Sequence, residues 1–223
     1  MTPDGPLLVI DTATTRAVVA LGAADGTLLE ARSWVAGYRH GEELLAQIER
    51  LLADRDVVPA TLGGIVVGTG PGAFTGLRVG LATAKGLAHA FGTPIVGIST
   101  AEALLAAAPD AEVLVQPAGP SDRVLTRRGE GPRILPGGME PDLRDGERLL
   151  AVDLAGRADD AAVARGDAAH AGLAASLLAA GGTRLASGHA DDLANLVPEY
   201  TTLPRGVRER LPDDAVEVTG GTP

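Results

Sequence analysis

A β-branched run, Ile65-Val66-Val67, lies between Gly63-Gly64 and a glycine-rich stretch that opens a long apolar helix. A run without polar alternation belongs to a strand buried on both faces, which means a parallel strand with helices on either side of its sheet. The segments around it agree. Residues 7–11 form a short apolar run ending in a carboxylate, and residues 16–21 and 28–34 follow, separated by the turn signal Ala24-Asp25-Gly26. Strands joined by such short connections read as a β-meander. Residues 42–53 place Leu44, Leu45, Ile48, Leu51 and Leu52 at helical spacing, with Glu42, Glu43, Glu49 and Arg50 opposite. Beyond the β-branched run come a helix at 75–91 closed by Gly92-Thr93-Pro94, a buried strand at 95–99 and a short helix at 101–108.

The second half carries weaker signals. Residues 112–116 and 123–127 read as strands divided by Pro117-Ala118-Gly119-Pro120, and 128–148, dense in Gly, Pro and charge, as a long loop. A strand is expected at 149–154, an Ala/Leu helix at 168–180 closed by Gly181-Gly182, and a short helix at 191–196. The tail is polar and is expected to be disordered. The division is therefore 1–108, a smaller lobe at 109–203, and a tail at 204–223. The order βββαβαβα, antiparallel strands followed by parallel ones, is that of one lobe of the actin-like ATPase folds, which rest on a ribonuclease-H-like unit. An α/β fold of that kind is expected, with a mixed sheet in the first lobe and a reduced second lobe.

Composition excludes several functions. With 19 basic and 29 acidic side chains the formal net charge is −10, and only Trp34, Tyr38, Phe74, Phe91 and Tyr200 are aromatic. Such a chain lacks the cations and stacking rings needed to bind nucleic acid alone. It has no cysteine, hence no disulfide, thiolate metal site or thiol nucleophile. No apolar run approaches the ~20 residues that span a bilayer. Residues 1–6 are polar and turn-like, unlike a secretory signal, so a cytoplasmic chain is expected.

Two segments could carry chemistry. Asp11-Thr12-Ala13-Thr14 ends the first strand. In sugar kinases, chaperone ATPases and actin this turn faces metal-bound phosphate, but Ala13 stands where a glycine would let an anion approach. A turn capped by Asp11 and the hydroxyls is the structural alternative, and the favoured one. Gly70-Pro71-Gly72-Ala73-Phe74-Thr75-Gly76-Leu77-Arg78 joins a buried strand to a helix, where backbone amides could hold an anion or Thr75 could serve as N-cap. It lacks the Gly-Lys-Ser/Thr of a Walker loop. In the following helix Gly76, Gly80, Ala84 and Ala88 make one ridge of small side chains, suited to close packing either within the chain or against a partner. His40, His89, His170 and His189 show no metal-ligand spacing, so no metal site is expected.

Residues 7–14, His40, the segment Gly68–Gly80, Ala84-Lys85-Gly86-Leu87-Ala88 and Gly97-Ile98-Ser99-Thr100 together resemble the TsaB (YeaZ) family of bacterial threonylcarbamoyladenosine biosynthesis subunits. The resemblance covers residues 7 to about 107, and places Asp11, Thr12, Thr14, Gly70, Pro71, Gly72, Phe74, Thr75, Gly76 and Arg78 in the family's loops. The catalytic paralogue TsaD holds a metal through a His-x-x-x-His pair, which aligns here with Thr100 and Leu104. The resemblance therefore implies a subunit without catalytic residues, metal or cofactor of its own, leaving open a nucleotide at a subunit boundary. It implies a scaffold and activator that pairs with a TsaD-like protein and a TsaE-like ATPase, reaches tRNA only through that complex, and has no membrane partner. Pairing in the family uses two helices of the first lobe. The corresponding interface candidates are His40, Leu44, Leu45, Ile48 and Leu51 on one helix, and Gly76, Gly80, Ala84, Lys85 and Ala88 on the other. The second lobe departs from the family: Gln116-Pro117-Ala118-Gly119-Pro120 replaces an Asp-Ala-Arg stretch, and Pro198-Glu199-Tyr200 is followed by Thr202 in place of Arg. The alternatives are a phosphotransferase or ATPase using Asp11 and the 70–76 loop, and a homodimeric structural protein.

Overall fold

The computed structural model describes residues 4–36 and 40–201. The tail expected at 204–223 lies outside the described residues, as do the side chains of His40 and Glu42. The first sheet contains β1 (Leu7–Asp11), β2 (Arg16–Gly22), β3 (Leu28–Val35), β4 (Gly64–Gly68) and β5 (Ile95–Ile98), in the order β3-β2-β1-β4-β5. β1–β2 and β2–β3 pair antiparallel, whereas β1–β4 and β4–β5 pair parallel. The mixed sheet expected from the sequence is therefore present.

Register explains why β1 and β4 show no polar alternation. Leu8 sits beside Ile65 and Ile10 beside Val67, and these four join a cluster with Leu44, Ile48 and Leu51 of α1 (His40–Ala53) and Leu81 and Ala84 of α2 (Phe74–Phe91). Leu7, Val9 and Val66 point the other way. They pack with Leu104 and Leu105 of α3 (Thr100–Ala107) and with Leu173, Leu177 and Leu178 of α4 (Asp160–Ala186). With helices on both faces, every β1 and β4 side chain is buried.

The second sheet is smaller. β6 (Val113–Pro117), β7 (Arg123–Arg127), β8 (Arg133–Leu135) and β9 (Leu149–Ala151) lie in the order β8-β7-β6-β9. Expectations for this half need correction. The loop at 128–148 contains strand β8. The last strand ends at Ala151, and residues 152–153 continue as a bend. α4 runs for 27 residues, well past Gly181-Gly182. A Cβ on Gly181 would come within 2.4 Å of Val66, so this glycine lets the helix cross closely over β4 instead of ending it. Asp159 caps α4 by accepting from the amides of Ala161 (2.7 Å) and Ala162 (3.2 Å). Residues 191–196 form turns, not a helix. Because α4 packs on both sheets, a boundary near residue 109 separates the sheets but not the core: Leu114, Leu150 and Leu7 share one cluster.

Candidate functional site

β1 ends at Asp11, which is fully buried. Its Oδ2 accepts from Thr100 Oγ1 at 2.6 Å and its Oδ1 from the Ala13 amide at 3.0 Å. Burial outweighs both bonds and lifts the Asp11 carboxyl to about 6. Thr100 in turn accepts from the Gly70 amide at 3.1 Å, while its own amide donates to Gly70 O at 2.7 Å. One threonine thus ties the glycine loop to the buried carboxylate. Gly70 sits at φ +101°, and its bond to Pro71 is cis.

The turn after β1 is closed by its own polar groups. Thr12 Oγ1 donates to Gly76 O at 2.7 Å, and the Ala73 amide donates to Ala13 O at 2.7 Å. A Cβ on Gly72 would stand 2.1 Å from Ala13 O, so only glycine lets the loop lie this close. Thr14 Oγ1 donates to Arg16 O at 2.7 Å. Its proton is thereby engaged, so His170 Nε2, 3.1 Å from both Thr14 Oγ1 and Arg16 O, is the donor to both. Burial, then the nearby Arg16 charge, holds His170 below the usual imidazole range. The Thr15 amide donates to Asp153 Oδ2 at 2.7 Å. The Ala13 and Thr15 amides and the three threonine hydroxyls of this turn are thus engaged inside the chain, a stronger closure than the Cβ of Ala13 alone suggests.

α2 begins at Phe74 with Ala73 as N-cap and no side-chain cap, so Thr75 does not take the capping role proposed for it. Arg78 lies 3.7 Å over the Phe74 ring, and its Nε donates to the Tyr200 hydroxyl at 2.9 Å. The Tyr200 and Phe74 rings are 5.3 Å apart. Residues 191–200 run along the open side of β5: the Asp191 amide reaches Ile95 O at 2.8 Å, Asp191 Oδ2 takes the Gly97 amide at 2.7 Å, and the Glu199 amide reaches Thr69 O at 2.8 Å. Burial raises the Glu199 carboxyl, against hydrogen bonds from Ser99 and Thr69.

Comparison with known proteins fits this geometry. Residues 34–122 match the family model described as TsaD, tRNA N6-adenosine threonylcarbamoyltransferase. The protein named tRNA threonylcarbamoyladenosine biosynthesis protein TsaB in Bacillus subtilis is 33% identical over 50% of this chain and 48% of its own. The Escherichia coli protein of the same name is 35% identical over 42% of this chain and 40% of its own. An uncharacterized protein of Mycobacterium leprae is 42% identical over 44% of this chain and 28% of its own. YeaZ from Pseudomonas aeruginosa superposes with a TM-score of 0.66, at 24% identity, over 88% of this chain and 99% of that one. The chain is similar to proteins named TsaB and YeaZ.

The chain shares the fold of YeaZ from Pseudomonas aeruginosa. The aligned segments span less than half the length of those sequence relatives. Among the described residues no group of three or more His, Asp or Glu side chains could hold a metal ion, and no helix is long and apolar enough to cross a membrane. The small-residue ridge of α2 faces inward, which corrects its assignment to a subunit interface. Gly76, Gly80, Ala84 and Ala88 are all buried, and a Cβ on Gly80 would come within 2.2 Å of Thr12 Oγ1. On α1, Leu44, Ile48 and Leu51 are core residues too, so among the described candidates on that helix only Leu45, 56% exposed, stays available. Lys85 is half-buried and donates to Leu196 O at 3.2 Å. A second row, Ala82, Gly86 and Ala90, lies exposed on α2, with open space around Gly86. The four-residue spacing of both rows stands in the sequence, but it does not say which of them the sheet covers. Sequence reasoning also missed Asp153 and His170, which reach the β1–β2 turn from more than a hundred residues away.

Proposed function

We propose that this protein is a partner subunit, without catalytic residues of its own, of the complex that makes threonylcarbamoyladenosine beside the anticodon of tRNA. The observation that carries this reading is the closed turn after β1, in a chain similar to proteins named TsaB. The fold keeps Asp11 and the Gly70–Gly72 loop, yet Asp11 is enclosed by Thr100 and Ala13, and Thr100 and Leu104 occupy the two positions aligned with a metal-binding histidine pair. An interior hydrogen-bonded carboxylate supports packing and offers nothing to a substrate.

In this reading a TsaD-like subunit supplies the active site, a TsaE-like ATPase completes the assembly, and tRNA is met through them in the cytoplasm. The net charge of −10 suits a subunit that leaves phosphate contacts to others. Docking uses the outer faces of α1 and α2, with Leu45 and the Ala82-Gly86-Ala90 row at its centre; a row of small side chains lets another helix approach closely. A homodimer through the same face is the competing arrangement.

Reconstitution tests the role. TsaD-like and TsaE-like partners, tRNA and substrates should form the modified nucleoside only when this chain is added, and equal modification without it rejects the proposal. Gly86→Arg tests the face: its Cβ meets nothing and arginine is the better helix former, so stability should hold or rise by up to about 1 kcal/mol. Binding to the TsaD-like partner should fall at least tenfold by calorimetry.

A further inference from the structure

After α4 the chain turns at Gly188, at φ +81°, and residues 191–200 run as a strap along the free edge of β5. The two halves of the strap are held differently. Asp191 anchors the first half. Besides its bonds to Ile95 and Gly97, its Oδ1 accepts from Arg184 Nη2 at 2.7 Å, and Arg184 Nη1 donates to Gly97 O at 2.7 Å. Leu196 completes this anchor. It is buried in the cluster that holds Leu81 and Ile95, and a Cβ on Gly97 would come within 2.6 Å of it, so the leucine seats directly on the strand. Beyond it Val197 is exposed, and the second half rests on Glu199 and on the contacts of Tyr200 with Phe74 and Arg78.

The hydrogens around Glu199 favour a neutral carboxyl. Ser99 Oγ lies 3.1 Å from Glu199 Oε2 and 3.1 Å from Gly70 O, and a serine has one hydrogen to donate. Ionised, Glu199 competes with Gly70 O for it. Protonated on Oε2, Glu199 donates to Ser99, Ser99 donates to Gly70 O, and Thr69 Oγ1 donates to Oε1 at 3.3 Å. Among the described residues no cation forms an ion pair with Glu199. Arg184 is engaged by Asp191 and Gly97 O, Lys85 by Leu196 O, and Arg78 by Tyr200 and Phe74. The charges that do face it are negative: Glu102 of α3, and Asp191 and Asp192, which line the same shallow depression. Burial, and to a smaller extent Glu102, accordingly raises the Glu199 carboxyl.

We propose that the second half of the strap is a proton-controlled latch: neutral Glu199 seats it across the ends of β4 and β5, and ionisation of Glu199 lifts it about the Leu196 anchor. Lifting uncovers Thr69 and Ser99 at the carboxyl ends of the two strands and separates Tyr200 from Arg78 at the start of α2. A carboxyl raised in the seated state contributes fully to seating below the ordinary glutamate value, and that contribution is lost as the pH rises through the raised value. The inference uses no partner and is independent of the subunit role.

The test is hydrogen exchange of the full chain, read amide by amide by NMR at pH 4.5 and pH 8 and corrected for the intrinsic exchange rate. Protection of the Glu199 amide, which donates to Thr69 O, should fall by about threefold or more between the two. The Asp191 and Gly97 amides should keep their protection, because the anchor stays seated. Glu199→Gln keeps the shape and carries a donor for Ser99 at every pH, so its residue 199 amide should be as protected at pH 8 as the parent's is at pH 4.5. Equal protection of the parent's Glu199 amide at both pH values would overturn the latch, as would an undiminished pH dependence in Glu199→Gln. Parallel loss at Asp191 and Gly97 would overturn the pivot at Leu196.

Discussion

The two sheets are held together by different physics. The first is closed by area: all five residues of β1 and all five of β4 are buried, and alternate side chains feed two separate apolar clusters. The second, with strands of three to five residues, relies on arginines. Arg127 is buried and bonds Glu147 at 2.7 Å, which holds the Glu147 carboxyl down at about 2. Arg128 donates to the carbonyls of Leu105, Ala108 and Ala111 at 2.7 to 3.1 Å, closing the C-terminal end of α3. Area burial is non-directional and leaves a periodic trace in sequence. Directional bonds between distant residues leave none, which is why residues 128–148 read as a plain loop.

That contrast can be broken by mutation, most severely in the first lobe. Gly80→Leu would drive a side chain into Thr12 and through it into the β1 turn, for a loss of about 4 kcal/mol or more. The expected outcome is an insoluble chain or one without a cooperative melt, so this variant cannot separate folding from assembly, whereas Gly86→Arg can.

Next is Asp11→Asn, which should stabilise. A carboxyl whose folded value is about 6, against 3.8 unfolded, leaves the folded state penalised once pH exceeds 6. The stability it allows is complete below pH 3.8 and is lost as pH rises to about 6. The difference is about 3 kcal/mol. Urea melts should show the variant ahead by about that at pH 8, and level with the parent at pH 4. His170 works in the opposite sense: its folded value is lowered, so it favours the folded state above its unfolded value and weakens it as the pH falls.

Arg128→Ala should cost about 2 kcal/mol, by leaving the α3 carbonyls without their charged donor. Hydrogen exchange should show faster opening at the C-terminal end of α3 while β1 and β4 keep their protection. A uniform loss of protection would mean that the two sheets unfold as one unit. The smallest effect is expected from Thr15→Ala, which removes one hydroxyl bond to Asp153 and should cost about 1 kcal/mol.

Most of the first lobe was legible. The runs at 7–11, 65–67 and 95–99 mark β1, β4 and β5 to within a residue or so, because burial on both faces leaves an unbroken apolar signature. The segments of the site, Asp11–Thr14 and Gly70–Gly72, were legible as well, since tight turns demand particular residue types. Three features were not. α4 looked finished at Gly181-Gly182, because a glycine that permits close crossing over Val66 has the same letter as one that ends a helix. Thr75 looked like a cap beside Ala73, which carries no capping group. The ridge Gly76-Gly80-Ala84-Ala88 looked like a docking surface, while the exposed row Ala82-Gly86-Ala90 went unremarked.

Sequence alone determined the elements of the first lobe, its mixed sheet, the carboxylate at the end of β1 and the absence of metal-ligand spacing. These follow from local pattern and residue chemistry. Tertiary structure decided which face of α2 the sheet covers, and that Asp11 and Asp153 accept from the Ala13 and Thr15 amides while His170 donates to Thr14. Those outcomes depend on distances between residues far apart in the chain, and no local pattern encodes them.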